Sequence, residues 1–540
     1  MTTTEPAARA RVAPSAFRRG AWLLAGTALS LFAMQAVWDI ALVAWVYPVL
    51  LLRFTRTGGT PAAVAGIWAS TALAMLCWLH HADLLSAPIL VITLPLAAAQ
   101  AVPFLVDRFA APRLESRGLL LSALVFPATK AAVEFAVASA TPFGTIYGVL
   151  GATQHGNLPL IQTASVTGVY GVSFLVAWAA STTALLWDRG LLSRPARTAA
   201  ACCAGALGLV MLAGGARLAF APPSAETVRI AGVTTSVPAW EELVPTFREY
   251  DSLEKLLDAD PELMREEFAA VNGELLANTE REAEAGARIV VWPESAAFTL
   301  ESGEDRLIAD IQDVARRHGV YVDAGMSVYT ERAPHIRNMM VMVTPDGEVA
   351  WKYDKSRPIP VLEPYDAGPG VLPVEESPFG RLSNVICYDA DFPGLLRQGG
   401  AAGADIMIVG ANTWEGIKEM HARNSVFRAV ENGFSVFRQA SRGRANAVDH
   451  QGRPLATTDY FTTDQQTMVA FVPTRGVTTV YSVVGDLFAW LCVVTVVLLA
   501  ALCALPRRRG GSTPGDPTGG PRAQDAGGFP GRRRLGGSAG

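Results

Sequence analysis

The chain has 540 residues, half of them hydrophobic, with 45 basic against 49 acidic side chains and a formal charge of −4 at pH 7. Its mean hydropathy is positive at +0.27, too apolar for an ordinary water-soluble protein, and its slight acidity leaves no electrostatic footprint for nucleic acid. The apolar residues are unevenly spread: residues 226–475 carry the mixed charge of a water-facing domain, and what flanks them is hydrophobic. A multi-pass α-helical membrane bundle plus one large α/β domain is therefore expected.

Taken in order, residues 1–20 are small and polar, end on Arg18-Arg19, and should form a cytoplasmic N-terminal tail. The run Ala21–Val37 lacks a convincing cleavage region and is followed by further apolar segments, so it is expected to stay as an uncleaved anchor. Ile40–Leu52 is short for a span. Pro61–Leu79, Leu85–Val106, Leu119–Ala138, Gly168–Trp187 and Thr198–Phe220 complete a bundle of about seven helices over residues 21–220. A final span, Leu487–Leu505, falls within residues 480–506. Residues 507–540, rich in Gly, Pro, Ser and Arg, are expected to be a disordered cytoplasmic tail.

Loop charge gives the expected orientation. Arginines cluster at Arg18-Arg19, Arg53/Arg56, Arg108/Arg113/Arg117, Arg189/Arg194/Arg197 and Arg507–Arg509, in every second connection. By the positive-inside rule both termini are cytoplasmic and residues 226–475 extracytoplasmic. Thr141–Thr167, semi-polar and rich in Gly, Thr and Gln, should pack over the outer face of the bundle beneath the water-facing domain. His80-His81 is read as an interfacial pair without a role.

Inside residues 226–475, short β-branched runs occur at Val228–Val233, Arg288–Trp292, Val320–Gly325, Asn338–Val343, Asn384–Tyr388, Asp405–Val409, Phe434–Gln439 and Thr467–Val472. Between them lie helical stretches such as Pro261–Ala283, where Asp260 can cap and Met264, Phe268, Val271 and Leu275 share one face.

Six cysteines are present, and Cys77, Cys202, Cys203, Cys492 and Cys503 all sit in apolar segments where a thiol behaves as a small hydrophobe. Only Cys387 lies in the polar block, at the end of the apolar run Asn384–Ile386. It has no partner there for a disulfide, and no Cys/His spacing suits a metal, so a nucleophile is expected and no metal or other cofactor. A thiol needs a base or a cation nearby. Glu294 follows Val290-Val291-Trp292-Pro293, and Lys355 closes Trp351-Lys352-Tyr353-Asp354. Taken singly, each has a plain structural explanation as a solvated loop residue.

The order Glu, Lys, Cys, each at a strand end in Trp292-Pro293-Glu294, Tyr353-Asp354-Lys355 and Ile386-Cys387-Tyr388-Asp389, resembles the nitrilase (carbon-nitrogen hydrolase) superfamily over roughly residues 228–472. That resemblance implies a nitrilase-like αββα sandwich, with Glu294 as base, Lys355 stabilising the oxyanion together with backbone N–H groups, and Cys387 as the nucleophile of acyl transfer through a thioester. Spans on both sides of such a domain look more narrowly like the apolipoprotein N-acyltransferase family. Gly168–Phe174, Asn412, Trp414, His421, Arg428, Glu431, Tyr481 and Gly485-Asp486 match further local features of that family. Three positions depart from it: Asp389 stands where a glutamate is usual, Glu363 lies in the altered loop Pro360–Pro364, and Thr234–Val237 replaces a QGN-like start.

The resemblance implies a phospholipid acyl donor, a diacylated lipoprotein acceptor and work at the membrane, with Glu363, Tyr388 and Asp389 as supporting residues. Ala296–Leu300 and Val361-Leu362 are apolar loop segments with two readings, admission of the acyl chains or packing in the core. Two alternatives stay open: a membrane-tethered amidase or nitrilase-type hydrolase that uses water as acceptor, and a non-catalytic membrane scaffold.

Overall fold

A computed structural model of the chain describes residues 14–34, 38–146, 148–190, 192–462 and 467–505. The first part of the expected N-terminal tail, the end of the run Ala21–Val37 and the C-terminal tail lie outside these residues. The hydrophobic runs form helices Ala16–Ser30, Ala41–Thr57, Thr60–His81, Ala87–Leu114, Leu119–Ala140, Val169–Arg189, Arg194–Phe220 and Leu487–Ala504. Among the described residues six of these are long and apolar enough to cross a membrane. The first two, expected to bring the spans to eight, are only 15 and 17 residues long, short of the ~20 residues that ~30 Å of hydrocarbon requires.

The water-facing block folds into thirteen strands: β1 (Thr227–Val233), β2 (Ile289–Val291), β3 (Ala297–Leu300), β4 (Tyr321–Tyr329), β5 (Ile336–Val343), β6 (Val349–Asp354), β7 (Val374–Ser377), β8 (Gly380–Ile386), β9 (Ile406–Asn412), β10 (Ser435–Ser441), β11 (Arg444–Val448), β12 (Pro454–Asp459) and β13 (Thr467–Pro473). One sheet runs β13-β1-β2-β4-β5-β6 with β3 also paired to β4, and the other runs β12-β11-β10-β9-β8-β7. The eight expected runs all become strands.

Successive side chains of a strand point to opposite faces, and on the central strands both faces are buried. Met340 and Met342 of β5, Ile406 and Ile408 of β9, and Ile289 and Val291 of β2 meet in one core between the two sheets. Their neighbours Met339 and Val341 pack outward against helices Pro261–Glu284 and Glu304–His318. Met407 and Val409 pack outward against helix Lys418–Asn432. The result is a four-layer αββα sandwich. Helix Pro261–Glu284 begins as expected, with the Asp260 carboxylate accepting from the N–H groups of Glu262 and Leu263 at 2.8 and 3.2 Å, and Met264, Phe268, Val271 and Leu275 are buried on one face.

The second helical layer does not end in water. Phe427 and Val430 share a core with Phe135, Tyr170 and Leu175 of the bundle. Polar contacts fix the joint: Tyr388 Oη donates to Pro142 O at 2.9 Å, Trp414 Nε1 to Ala82 O at 2.6 Å, Val169 N to Glu431 Oε1 at 2.8 Å and Gln162 Nε2 to Gln451 O at 2.9 Å. Residues 141–167 thus lie between bundle and sandwich, and the connections in contact with the sandwich are the arginine-poor ones. Truncating Phe268, 1% exposed in the outer core, to Ala should cost the domain ~3–5 kcal/mol, measurable as a shift in its denaturant midpoint.

Candidate active site

Glu294, Lys355 and Cys387 come from three loops at the ends of β2, β6 and β8, and the fold brings them together. β4 pairs along its length first with β2 and then with β3, so residues 292–296 bulge out between the two short strands and carry Glu294. Gly325 on β4 makes room for the bulge, since a Cβ there would lie 1.9 Å from Pro293 O. Ser295 (φ 52°) and Cys387 (φ 46°) both adopt the left-handed conformation that costs a non-glycine residue energy, typically ~1–3 kcal/mol at functional sites.

Lys355 is 1% exposed, and its Nζ donates to Glu294 Oε1 at 2.7 Å and to Glu363 Oε1 at 2.6 Å. Glu294 Oε1 also accepts from Asn338 Nδ2 at 2.7 Å, and its Oε2 from the Asn412 N–H at 2.8 Å. Burial alone would raise the Glu294 pKa, but Lys355, Asn338 and the Cys387 thiol hold it below the usual carboxylate value. Burial likewise opposes the Lys355 charge, yet Glu294, Cys387 and Glu363 keep it protonated well above its ordinary range. Cys387, also 1% exposed, is pushed up to about 12 by burial and by Glu294, with Lys355 acting the other way. Its Sγ donates to Asn412 O at 3.5 Å. The site therefore holds an ionised carboxylate beside an ammonium and a neutral thiol.

The supporting residues divide by contact. Glu363 touches Lys355 directly and accepts from the Ile359 N–H at 2.7 Å, which folds its own loop. Asp389 is fully buried and accepts from Tyr353 Oη at 2.8 Å and from the N–H groups of Arg357, Ile386 and Ser356 at 2.7, 3.1 and 3.3 Å. It clamps the loop that carries Lys355 to the turn that carries Cys387. Tyr388 points away from the three, with its ring against Phe392 and His421 and its hydroxyl on the bundle.

Sequence reasoning passed over Asn338, the Asn412 backbone and Asp391, whose carboxylate accepts from His421 Nδ1 at 2.6 Å and Asn424 Nδ2 at 2.5 Å. The polar Asn338 at the head of an apolar run was the one available signal. Two apolar segments were open to either reading, acyl-chain admission or core packing, and they part ways. Ala297–Leu300 is not a loop but the buried strand β3, because pairing with β4 and packing of Phe298 on Phe247 and Phe268 draw it into the core. Val361 and Leu362 stay 64% and 44% exposed. With Ile359, Pro360 and Tyr388 they line an apolar cavity whose other wall is Leu84, Ile89, Ile92, Phe143 and Ile146 of the bundle.

Two family models match the chain: the apolipoprotein N-acyltransferase N-terminal domain over residues 26–182 and carbon-nitrogen hydrolase over residues 261–478. Relatives span both regions. The apolipoprotein N-acyltransferase of Geobacter metallireducens is 28% identical over 72% of this chain and 75% of its own length. That of Rhodopseudomonas palustris is 25% identical over 90% and 95%. Over both regions the chain is similar to the apolipoprotein N-acyltransferases. It is an acyltransferase of multi-pass membrane architecture. Among solved structures, an amidase from Nesterenkonia sp. is 19% identical over 46% of this chain and 92% of its own, with a TM-score of 0.36. Relative to the apolipoprotein N-acyltransferase pattern, Asp389 is one methylene short of the usual glutamate, and its four donors show a carboxylate still satisfied at that length.

In Asp389→Asn one acceptor oxygen becomes a donor, and either amide orientation then faces backbone N–H groups, so acyl-transfer turnover should fall at least ~10-fold. Burial lifts the Asp389 carboxyl from 3.8 to about 6. With a raised folded pKa, its stabilising contribution is complete below about 3.8 and is lost as pH rises through about 6. Unfolding free energy followed across that window should show the step in the native protein and lack it in Asp389→Asn.

Proposed function

We propose that this chain moves an acyl chain from a membrane phospholipid, by way of a thioester on Cys387, to the α-amino group of the diacylglyceryl-modified N-terminal cysteine of lipoproteins. The observation that carries the reading is the meeting of Glu294, Lys355 and Cys387, in a domain whose loop Ile359–Leu362, just before Glu363, lines an apolar cavity with the bundle. Similarity to the apolipoprotein N-acyltransferases supports the choice of donor and acceptor.

Glu294, already ionised, takes the Cys387 proton as sulfur attacks the ester carbonyl, so no free thiolate need accumulate. Lys355 and backbone N–H groups offset the charge that develops on the carbonyl oxygen. Collapse breaks the ester C–O bond, and the lysophospholipid leaves with the proton from Glu294. The acceptor amine then attacks the thioester, Glu294 takes its proton, and the C–S bond breaks to return the thiol. Glu363 holds the ammonium in place, and Asp389 holds the two loops in register.

Acyl chains cost about 0.8 kcal/mol per methylene to move into water, so a site on the bundle removes a barrier that a free enzyme would face. Residues 226–475 lie on the extracytoplasmic side in this reading, with the tails in the cytoplasm. Support comes from the arginine-rich loops at the bundle ends remote from the sandwich.

Purified full-length protein given phospholipid vesicles and a synthetic diacylated lipopeptide should add one acyl chain to the peptide and show a transient acyl adduct on Cys387 by intact mass. Cys387→Ala should abolish both. Release of free fatty acid without acylated peptide would point to a hydrolase instead, and full peptide acylation by Cys387→Ala would refute the thioester route.

A further inference from the structure

Helix Leu119–Ala140 carries two charged residues deep in its apolar run, Lys130 and Glu134, 4% and 1% exposed. Lys130 lies ten residues before the helix end, about 15 Å along the axis at 1.5 Å per residue. Charges at such depth are costly in a bilayer and are retained where they satisfy something specific. Here the partners include the backbone of the connection that follows the helix. Lys130 Nζ donates to Gly148 O at 3.1 Å and to Gln100 Oε1 at 2.6 Å, and Glu134 Oε1 accepts from the Leu150 N–H at 2.9 Å. The two side chains bond each other at 3.1 Å. Ser173 Oγ accepts from the Gly151 N–H at 2.8 Å, and the short helix Leu150–Gln154 is wholly buried. The connection after helix Leu119–Ala140 thus dips back into the bundle, which irregular backbone can do only where protein groups replace the missing water.

The other end of the same connection meets the catalytic turn. Asp391, which closes the turn begun by Cys387, accepts on its carbonyl from both the N–H and the Oγ1 of Thr145, each at 2.9 Å. Pro142 O takes the Tyr388 hydroxyl. Gly144 (φ 54°) lies so close that a Cβ there would sit 2.5 Å from Asp391 O. Residues 148–150, bonded to the ion pair, and residues 142–145, bonded to the turn, belong to the same short connection.

We propose that Lys130 and Glu134 are positioning residues for the acyl-transfer site: by anchoring residues 148–150 inside the bundle, they hold residues 142–145 against the Cys387–Asp391 turn and fix the nucleophile. They touch no reacting atom. The inference rests on the acyl-transfer reading for its kinetic readout, but a second readout, the rate at which iodoacetamide alkylates Cys387, does not depend on any natural substrate.

The test uses the full chain with vesicles of phosphatidylethanolamine and phosphatidylglycerol and a synthetic diacylated lipopeptide. Lys130→Met and Glu134→Gln should each lower kcat roughly 10-fold or more while KM for the lipopeptide stays within about twofold. Cys387 alkylation should quicken several-fold as the turn that buries it loosens, and Lys130→Arg, which keeps the cation, should recover most of kcat. Wild-type kcat and alkylation in Lys130→Met and Glu134→Gln, even with lowered thermal stability, would overturn the proposal. If those variants fail to fold, Gly144→Ala, outside the helix, should give the same signature of lost kcat and faster alkylation; unchanged rates there would refute the link between connection and turn. Should the native protein form no acylated peptide at all, the functional reading falls, and the alkylation rates still decide whether the ion pair positions Cys387.

Discussion

A buried ammonium held between two carboxylates is the constraint on which the site depends. Lys355 would be costly to bury alone, by several kcal/mol after relaxation, and Glu294 and Glu363 converge on it from separate loops at 2.7 and 2.6 Å. Asn338 and the Asn412 N–H occupy further lone pairs of Glu294, so the carboxylate is satisfied as an anion. That arrangement decides the chemistry of the thiol. With Glu294 held low and Cys387 pushed up to about 12, the proton belongs to sulfur at rest, and it moves only as the sulfur–carbon bond forms. The thiol is thus kept from idle reaction and becomes a nucleophile when a carbonyl is in place.

The geometry around this group is held from two sides. Within the sandwich, Asp389 bonds the backbone on both the lysine and the cysteine loops. From the membrane side, residues 142–145 bear on the end of the cysteine turn. The shared hydrophobic core under helix Lys418–Asn432 makes bundle and sandwich a continuous packed body rather than a domain on a tether, so bundle residues such as Ile89 and Phe143 and the loop Ile359–Leu362 line one cavity.

Much of this was legible in the sequence, for identifiable reasons. Glu294, Lys355 and Cys387 each terminate an apolar run, and a strand end in an α/β fold is where a side chain reaches a shared rim. The expected strands other than β13, whose Phe471 is 62% exposed, have both faces buried or nearly so, which leaves largely apolar runs. The missed strands lack that signal: β7 reads Val374-Glu375-Glu376-Ser377 at a sheet edge with its residues exposed or half-buried, and β12 mixes Pro454 with threonines. β3 follows Pro293 so closely that it passed for a loop. Contacts made by backbone, such as Asn412 N–H to Glu294, have no residue-type signature, and Asp389 as a carboxylate between two loops emerges only when β6 of one sheet and β8 of the other are packed in the sandwich. The charges Lys130 and Glu134 are visible within an apolar run, but their partners are carbonyl and amide groups of residues 148–150.

The most direct measurement of the central relation is the ultraviolet thiolate absorbance of Cys387, taken as the difference between the native protein and Cys387→Ser across the neutral pH range. A neutral thiol beside an ionised Glu294–Lys355 pair predicts no difference absorbance there, rising only in strongly alkaline solution. A thiolate that titrates near neutrality would mean that Lys355, not Glu294, governs the sulfur, and would contradict proton transfer to Glu294 during attack.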